Sequence, residues 1–157
     1  HDVATDTADP PQFSPETLTA RQKAGANPLN DYSVPLGELD MWRDADPALA
    51  SKNHAEVIAK RYPDLEPVVF SASPAEAVEA VRAAMEEIGL SAIEADIEAG
   101  RVEGVAETFW FGFRDDVVAR IGNGRIDLRS VSRVGQSDLG ANAERLRTLR
   151  SAIADRL

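Results

Sequence analysis

The chain has 157 residues, a formal net charge of −10, 43% hydrophobic residues and no cysteine. By length it is one domain with enough apolar content for a core. The missing cysteines exclude disulfides and thiolate chemistry, and the acidic balance argues against nonspecific nucleic-acid or anionic-membrane binding, because long-range steering would be repulsive. No apolar run reaches the roughly 18 residues needed to cross a bilayer.

Residues 1–65 read as an extended, proline-containing segment with one short helix. Asp9-Pro10-Pro11 and Asn27-Pro28 mark extended or turn structure. Asn53-His54-Ala55-Glu56 predicts a capping box opening a helix that Pro63 ends. Phe13, Tyr32, Trp42 and Tyr62 are the expected anchors that pack this segment on the rest; the alternative is disorder, which the acidic composition permits. His1, Asp2 and Asp6 make too thin a set for a metal site, and no metal or other cofactor is expected.

From Glu66 a regular fold is predicted over residues 66–157. Pro67-Val68-Val69-Phe70 reads as a short strand, and Ser73-Pro74-Ala75-Glu76 supplies an N-cap, a proline at the first helical position and the returning glutamate. Val78, Val81, Met85 and Ile88 form that helix's buried stripe, with Gly89 as its stop. Strands are predicted near 90–98, 101–110, 113–121 and 125–134, then a helix to about 156. Phe109, Trp110, Phe111 and Phe113 gather at a bend marked by Gly112 and read as core or corner packing. The order strand, helix, four strands, helix predicts an α+β domain with both helices on one face of a twisted antiparallel sheet. It is similar to the order of TATA-binding-protein-like and helix-grip folds, a likeness of topology that lends nothing to function.

Asn123-Gly124 between alternating runs predicts a type I′ hairpin, since both positions tolerate positive φ. The register then pairs Gly122 with Arg125, Ile121 with Ile126, Arg120 with Asp127, Ala119 with Leu128, Val118 with Arg129 and Val117 with Ser130. Phe113, Val117, Ala119, Ile121, Ile126, Leu128 and Val134 fall on the core face. Asp116, Val118, Arg120, Asp127, Arg129, Val131 and Arg133 fall on the other, with Asp116 diagonal to Arg129. That polar face is either solvated, with ion pairs worth roughly 0.2–1 kcal/mol each, or covered by the N-terminal segment, which would bury the pairs.

The last helix, opening near Asp138, puts Asp138, Asn142 and Arg145 on one stripe beside the apolar stripe Leu139, Ala143, Leu146, Leu149, Ile153 and Leu157. Polar groups at the border of a buried face need partners. Ser130 and Ser132 alternate toward the core and are expected to hydrogen-bond to the start of this helix. Charge is uneven as well: from Phe113 onward there are nine arginines against six acids, and before it eight basic residues against twenty-one acidic ones.

The pattern D-x-R-S-x-S-R-x-G-x-x-D-x-G-x-N-x-x-R, made by Asp127, Arg129, Ser130, Ser132, Arg133, Gly135, Asp138, Gly140, Asn142 and Arg145, resembles the signature of the bacterial and plastid family known as domain of unknown function 1499 (DUF1499). Phe113-Arg114-Asp115-Asp116 resembles its F-x-D-D element. The opening HDVATDTADPPQF is similar to its H-D-[IV]-[ST]-T-D…P-P-x-F stretch, with Ala4 where a hydroxyl residue usually stands. The match covers nearly the whole chain, but the family brings no established activity. The resemblance implies an export signal or membrane anchor ahead of His1, and so an extracytoplasmic, periplasmic or membrane-associated location, with the cytoplasm as the alternative.

Candidate binding residues are therefore Arg129, Arg133, Arg145, Ser130, Ser132 and Asn142, supported by ion pairs of Asp116, Arg120, Asp127 and Asp138. The first functional reading is a non-enzymatic binding or accessory module of the cell envelope whose arginines hold a small anion, a lipid head group or an envelope protein. The second is a hydrolase or transferase with Asp115, Asp116 or Asp138 as general base. The third is structural, with the motif locking strand to helix. No histidine lies near the motif, and neither a nucleophile with its base nor a phosphate-cradling consensus is present, which weighs against an enzyme. Acids interleaved among the arginines predict that most of the motif is structural and at most one arginine is available.

Overall fold

Asn123 and Gly124 take positive φ values of 53° and 71°, and the tight turn they make sets the register of the sheet. In this computed structural model, which describes residues 1–44, 46–108, 112–135 and 139–157, strand β5 (Arg114–Gly122) pairs antiparallel with β6 (Arg125–Ser132). Ile121 opposes Ile126, Arg120 opposes Asp127 and Val117 opposes Ser130, as the hairpin predicts. β4 (Arg101–Glu107) pairs with β5, and β3 (Ser91–Asp96) with β4. The free edge of β6 takes two short antiparallel strands, β1 (Asp2–Ala4) and β2 (Val68–Val69). The result is a six-stranded antiparallel sheet in an α+β fold, whose sixth strand comes from the opening residues.

Two long helices cover one face. α4 (Pro74–Glu87) begins with the predicted capping box, the Ser73 hydroxyl accepting from the Glu76 amide while the Glu76 carboxylate accepts from Ser73. It stops before Gly89, whose φ of 84° an L side chain rarely adopts. α5 (Leu139–Ala154) lies beside it. Val78, Val81, Met85, Leu146, Leu149 and Ile153 are buried against Val102, Val117, Ala119, Ile126 and Leu128 of the sheet. Strand alternation and helical periodicity hold only within an element, and three placements fail for that reason. Phe113 precedes β5 and Val134 follows β6, and both are exposed rather than in the core. Leu157 lies past the end of α5 and is exposed too. Phe109, Trp110, Phe111 and Asp138 lie outside the described residues.

The N-terminal segment holds more helix than predicted. Besides α3 (His54–Arg61), with its Asn53/Glu56 capping box, it contains α1 (Pro15–Lys23), α2 (Pro47–Ala50) and two 3-10 turns at Leu36–Glu38 and Asp40–Trp42. Ser14-Pro15 and Asp46-Pro47 supply the caps: the Thr17 amide donates to the Ser14 hydroxyl at 3.1 Å and the Ala48 amide to the Asp46 carboxylate at 2.8 Å. This segment covers the polar face of the sheet, so the covered reading of that face holds and the solvated one does not. Phe13 packs on Val118 and Val131, a burial worth about 1.5–3 kcal/mol. Tyr32 and Tyr62 are buried within the main core, and Trp42 is half-buried. Among the described residues no helix is long and apolar enough to cross a membrane.

Candidate functional site

β1 lies along β6 with Ala4 opposite Arg129 and Asp2 opposite Val131, which brings Asp2 beneath the Arg129 guanidinium. Arg129 Nε and Nη2 donate to the two Asp2 oxygens at 3.0 and 2.8 Å, and Nη1 donates to the Pro11 carbonyl at 3.1 Å. The Tyr32 hydroxyl donates to Asp2 at 2.6 Å, and the Asn30 amide does so at 3.1 Å. The Tyr32 ring also lies under the guanidinium, 5.4 Å from its centre. Burial pushes the Asp2 carboxyl up, but Arg129, Tyr32 and Asn30 together hold it below its usual value. All three Arg129 nitrogens are spent within the fold. Arg129, expected as a binding residue, is a buried structural one, and its partner is Asp2 rather than the diagonal Asp116.

On the other face Ser130, Ser132, Asn142 and Arg145 form the predicted strand-to-helix lock. Ser130 donates to Asn142 Oδ1 at 2.5 Å, and Asn142 Nδ2 donates to Ser132 at 2.8 Å. Arg145 Nη1 donates to Ser130 and to Asn142 Oδ1, each at 3.0 Å. Its Nη2 lies 2.7 Å from Asp115 Oδ2, at an angle that makes an ion pair rather than a hydrogen bond. Both serines, Asn142 and Asp115 are buried. The two serines, Asn142 and Arg145 are tied to one another within the helix-covered layer, and these contacts hold α5 to the sheet. Asp115 is the acid that the sequence reading did not assign to Arg145.

Arg120 and Asp127 pair as predicted, at 3.2 Å, inside a larger cluster. Arg125 reaches Asp127 at 2.7 Å, Asp6 accepts from Arg120 and Arg125 at 3.1 Å each, and Asp9 accepts from Arg120 at 2.7 Å. The Thr5 hydroxyl accepts from the Leu128 amide at 2.9 Å. Asp2, Thr5 and Asp6 of the opening stretch thus meet Arg129, Leu128 and the Asp127 cluster of the late motif. The two motif stretches are complementary halves of one interface. Their spacing carried this signal, since a strand bearing Asp2 and Asp6 can lie antiparallel to one bearing Arg129 and Arg125.

Arg133 differs. Asp116 is buried between it and Arg21 of α1: Arg133 Nε and Nη2 donate at 3.0 and 2.7 Å, and Arg21 Nη1 donates from the other side. Arg21 is further held by the Asn27 carbonyl at 2.7 Å. Arg133 Nη1 donates to no described residue, and its side chain lines a cleft of about 290 Å³ between α1 and the outer face of the sheet. Phe13, Glu16, Glu94, Glu103 and Asp116 line the same cleft. Glu103 holds α1 in place, accepting from the Ser14 amide at 2.5 Å, the Ser14 hydroxyl at 2.8 Å and the Thr17 hydroxyl at 2.5 Å. Ala92, in the left-handed region at φ 49°, marks an irregularity in β3 between Ser91 and Glu94, after which Glu94 falls opposite Glu103.

Arg21, Glu103, Glu94 and Glu16 were not singled out from the sequence. The Ser14-Pro15 pair, an N-cap followed by proline, is a signal that could have located the helix that brings two of them to the sheet. Asp138, expected among the supporting acids, lies outside the described residues. No group of three or more His, Cys, Asp and Glu able to hold a metal ion occurs among the described residues.

Comparison with curated proteins and with solved structures finds no match. The model of one protein family, described as Protein of unknown function (DUF1499), matches residues 2–153. That span takes in both the opening stretch and the late arginine motif, the two halves that the fold brings together, and the chain belongs to this family.

Proposed function

We propose that this domain is a non-enzymatic binding or accessory module of the cell envelope that takes a small anionic group on Arg133, in the cleft between α1 and the sheet. The observation that carries the reading is that Arg133, whose side chain lines that cleft, keeps an Nη1 that donates to no described residue, whereas Arg129 and Arg145 are spent on Asp2 and Asp115. Asp116 is shared with Arg21, so Arg133 is not its only counter-charge, and a guanidinium edge suits a carboxylate or phosphate oxygen. The envelope part of the reading draws on the export signals or anchors implied by the resemblance of the sequence. A hydrolase or transferase reading has less support: of its three candidate bases, Asp115 and Asp116 are buried and ion-paired with arginines, and Asp138 lies outside the described residues.

The test is thermal shift and calorimetry of the full chain with millimolar acetate, inorganic phosphate, β-alanine and phosphoethanolamine. At least one of these probes should raise the melting temperature, and Arg133→Gln should abolish the rise. Four silent probes, or a response that survives Arg133→Gln, would overturn the assignment.

A further inference from the structure

Glu94 and Glu103 stand directly opposite one another across β3 and β4, and both line the cleft that holds Arg133. Such partners bring their Cβ atoms to about 4.5–5.5 Å, so two carboxylates there repel and cost stability. The Glu103 charge is met from within the fold, by Ser14, Thr17 and Arg101 Nε at 3.5 Å. Glu94 is exposed and has neither a hydrogen bond nor an ion pair among the described residues. Glu16, brought in by α1, is in the same condition.

The cleft is therefore divided in charge. Glu16, Glu94 and Glu103 line it where it joins a neighbouring depression that also includes Asp96 and Arg101, whereas Arg133 and Asp116 line only the first cleft. One side offers the Nη1 of Arg133, which donates to no described residue, and the other offers the carboxylates of Glu94 and Glu16, which have no counter-charge among the described residues. A simple anion entering this space meets Glu94 and Glu16. A simple cation meets the guanidinium of Arg133. A molecule carrying both charges a few bonds apart is favoured at both ends.

We infer that the ligand of this cleft is a small zwitterion, an ammonium-bearing phosphate ester or carboxylate, with its anionic group on Arg133 Nη1 and its ammonium against Glu94 and Glu16. The inference rests on the binding reading above and names the ligand class of that same cleft. The volume suits a compact group, and the phosphate ester chemistry is shared by free phosphoethanolamine and by the head group of a phosphatidylethanolamine lipid.

Calorimetric titration of the full chain tests this with phosphoethanolamine, β-alanine, inorganic phosphate, acetate and ethylammonium. At least one zwitterion should bind about tenfold or more tighter than its matching simple anion and than ethylammonium. Glu94→Gln, an exposed change expected to leave the fold intact, should lower that preference, with Glu16 still facing the ammonium, while keeping the anion response, and Arg133→Gln should remove binding of zwitterion and anion alike. Equal affinity for phosphate and phosphoethanolamine together with equal affinity for acetate and β-alanine, or a preference unchanged in Glu94→Gln, overturns the zwitterion inference while the Arg133 reading stands. Absence of all binding, or binding unchanged in Arg133→Gln, overturns the Arg133 reading itself. Vesicles of phosphatidylethanolamine in phosphatidylcholine separate the sources. Retention on them that free phosphoethanolamine competes away assigns a lipid head group, whereas soluble binding without retention assigns a free zwitterion, and both outcomes support the inference.

Discussion

Arg129 and Asp2, 127 positions apart in the chain, form a two-pronged ion pair at 3.0 and 2.8 Å with both side chains almost wholly buried. The pair joins the opening strand to the strand that carries the late motif. It is surrounded by Tyr32, Asn30 and the Pro11 carbonyl, so each charge depends on the other and has no route to water.

Breaking that pair from either side strands a buried charge. Asp2→Ala and Arg129→Ala should each cost about 3–5 kcal/mol in urea unfolding, and the double variant less than their sum. Additive single losses would show that the two groups act independently.

Alanine replacement separates the motif arginines. Arg145→Ala leaves Asp115 buried without its cation and removes a donor to Ser130 and Asn142, so a loss of about 3 kcal/mol or more is expected. Arg133→Ala leaves Asp116 still paired with Arg21 and should cost about 1 kcal/mol or less, as for partly exposed pairs. Urea denaturation of the two variants checks the order, which a costlier Arg133→Ala would reverse.

Acid stability should show two windows. Burial pushes the His54 imidazole below its usual 6.5; its Nε2 donates to the Asp2 carbonyl at 2.5 Å, and the neighbouring side-chain charges are Asp2 and Arg129. The unfolded chain then takes up this proton first, so stability falls as pH drops through 6.5 and levels off below the depressed folded value. His54→Gln should flatten that slope. The carboxyls of Asp2 and Asp6 are held below 3.8 despite burial, so their contribution is present above 3.8 and disappears as pH falls through the depressed values. Asp2→Asn should lessen that second decline and leave the Asp6 part of it, as urea titrations across pH would record.

Two glycines should respond in opposite ways. At Gly100, φ is 60° and an added Cβ would sit 2.3 Å from the Ile121 carbonyl oxygen, so Gly100→Ala should cost at least about 2 kcal/mol. At Gly122 nothing lies within 4 Å of such a Cβ, so Gly122→Ala should stay within about 0.5 kcal/mol. Thermal melts of the pair test the tightness of the β3–β4 turn against β5.

The sequence by itself determined what depends on neighbours along the chain. The Asn123-Gly124 turn dictates which residues of β5 and β6 face one another, the Ser73 and Asn53 caps dictate where α4 and α3 begin, and alternation sends Ser130 and Ser132 to the helix face where they meet Asn142. Only the tertiary structure decided what covers the opposite face. Alternation says that Asp116, Arg120, Asp127, Arg129 and Arg133 share that face, but leaves open whether water or protein lies over them. The segment that covers it is joined to the sheet by Asp2, Asp6 and Arg21, with Glu103 of the sheet receiving the start of α1, and buries Phe13 as its main apolar anchor. The four-residue spacing of Asp2 and Asp6 matches that of Arg125 and Arg129, but the match selects partners only once β1 lies antiparallel along β6, and that placement is made by contacts in space.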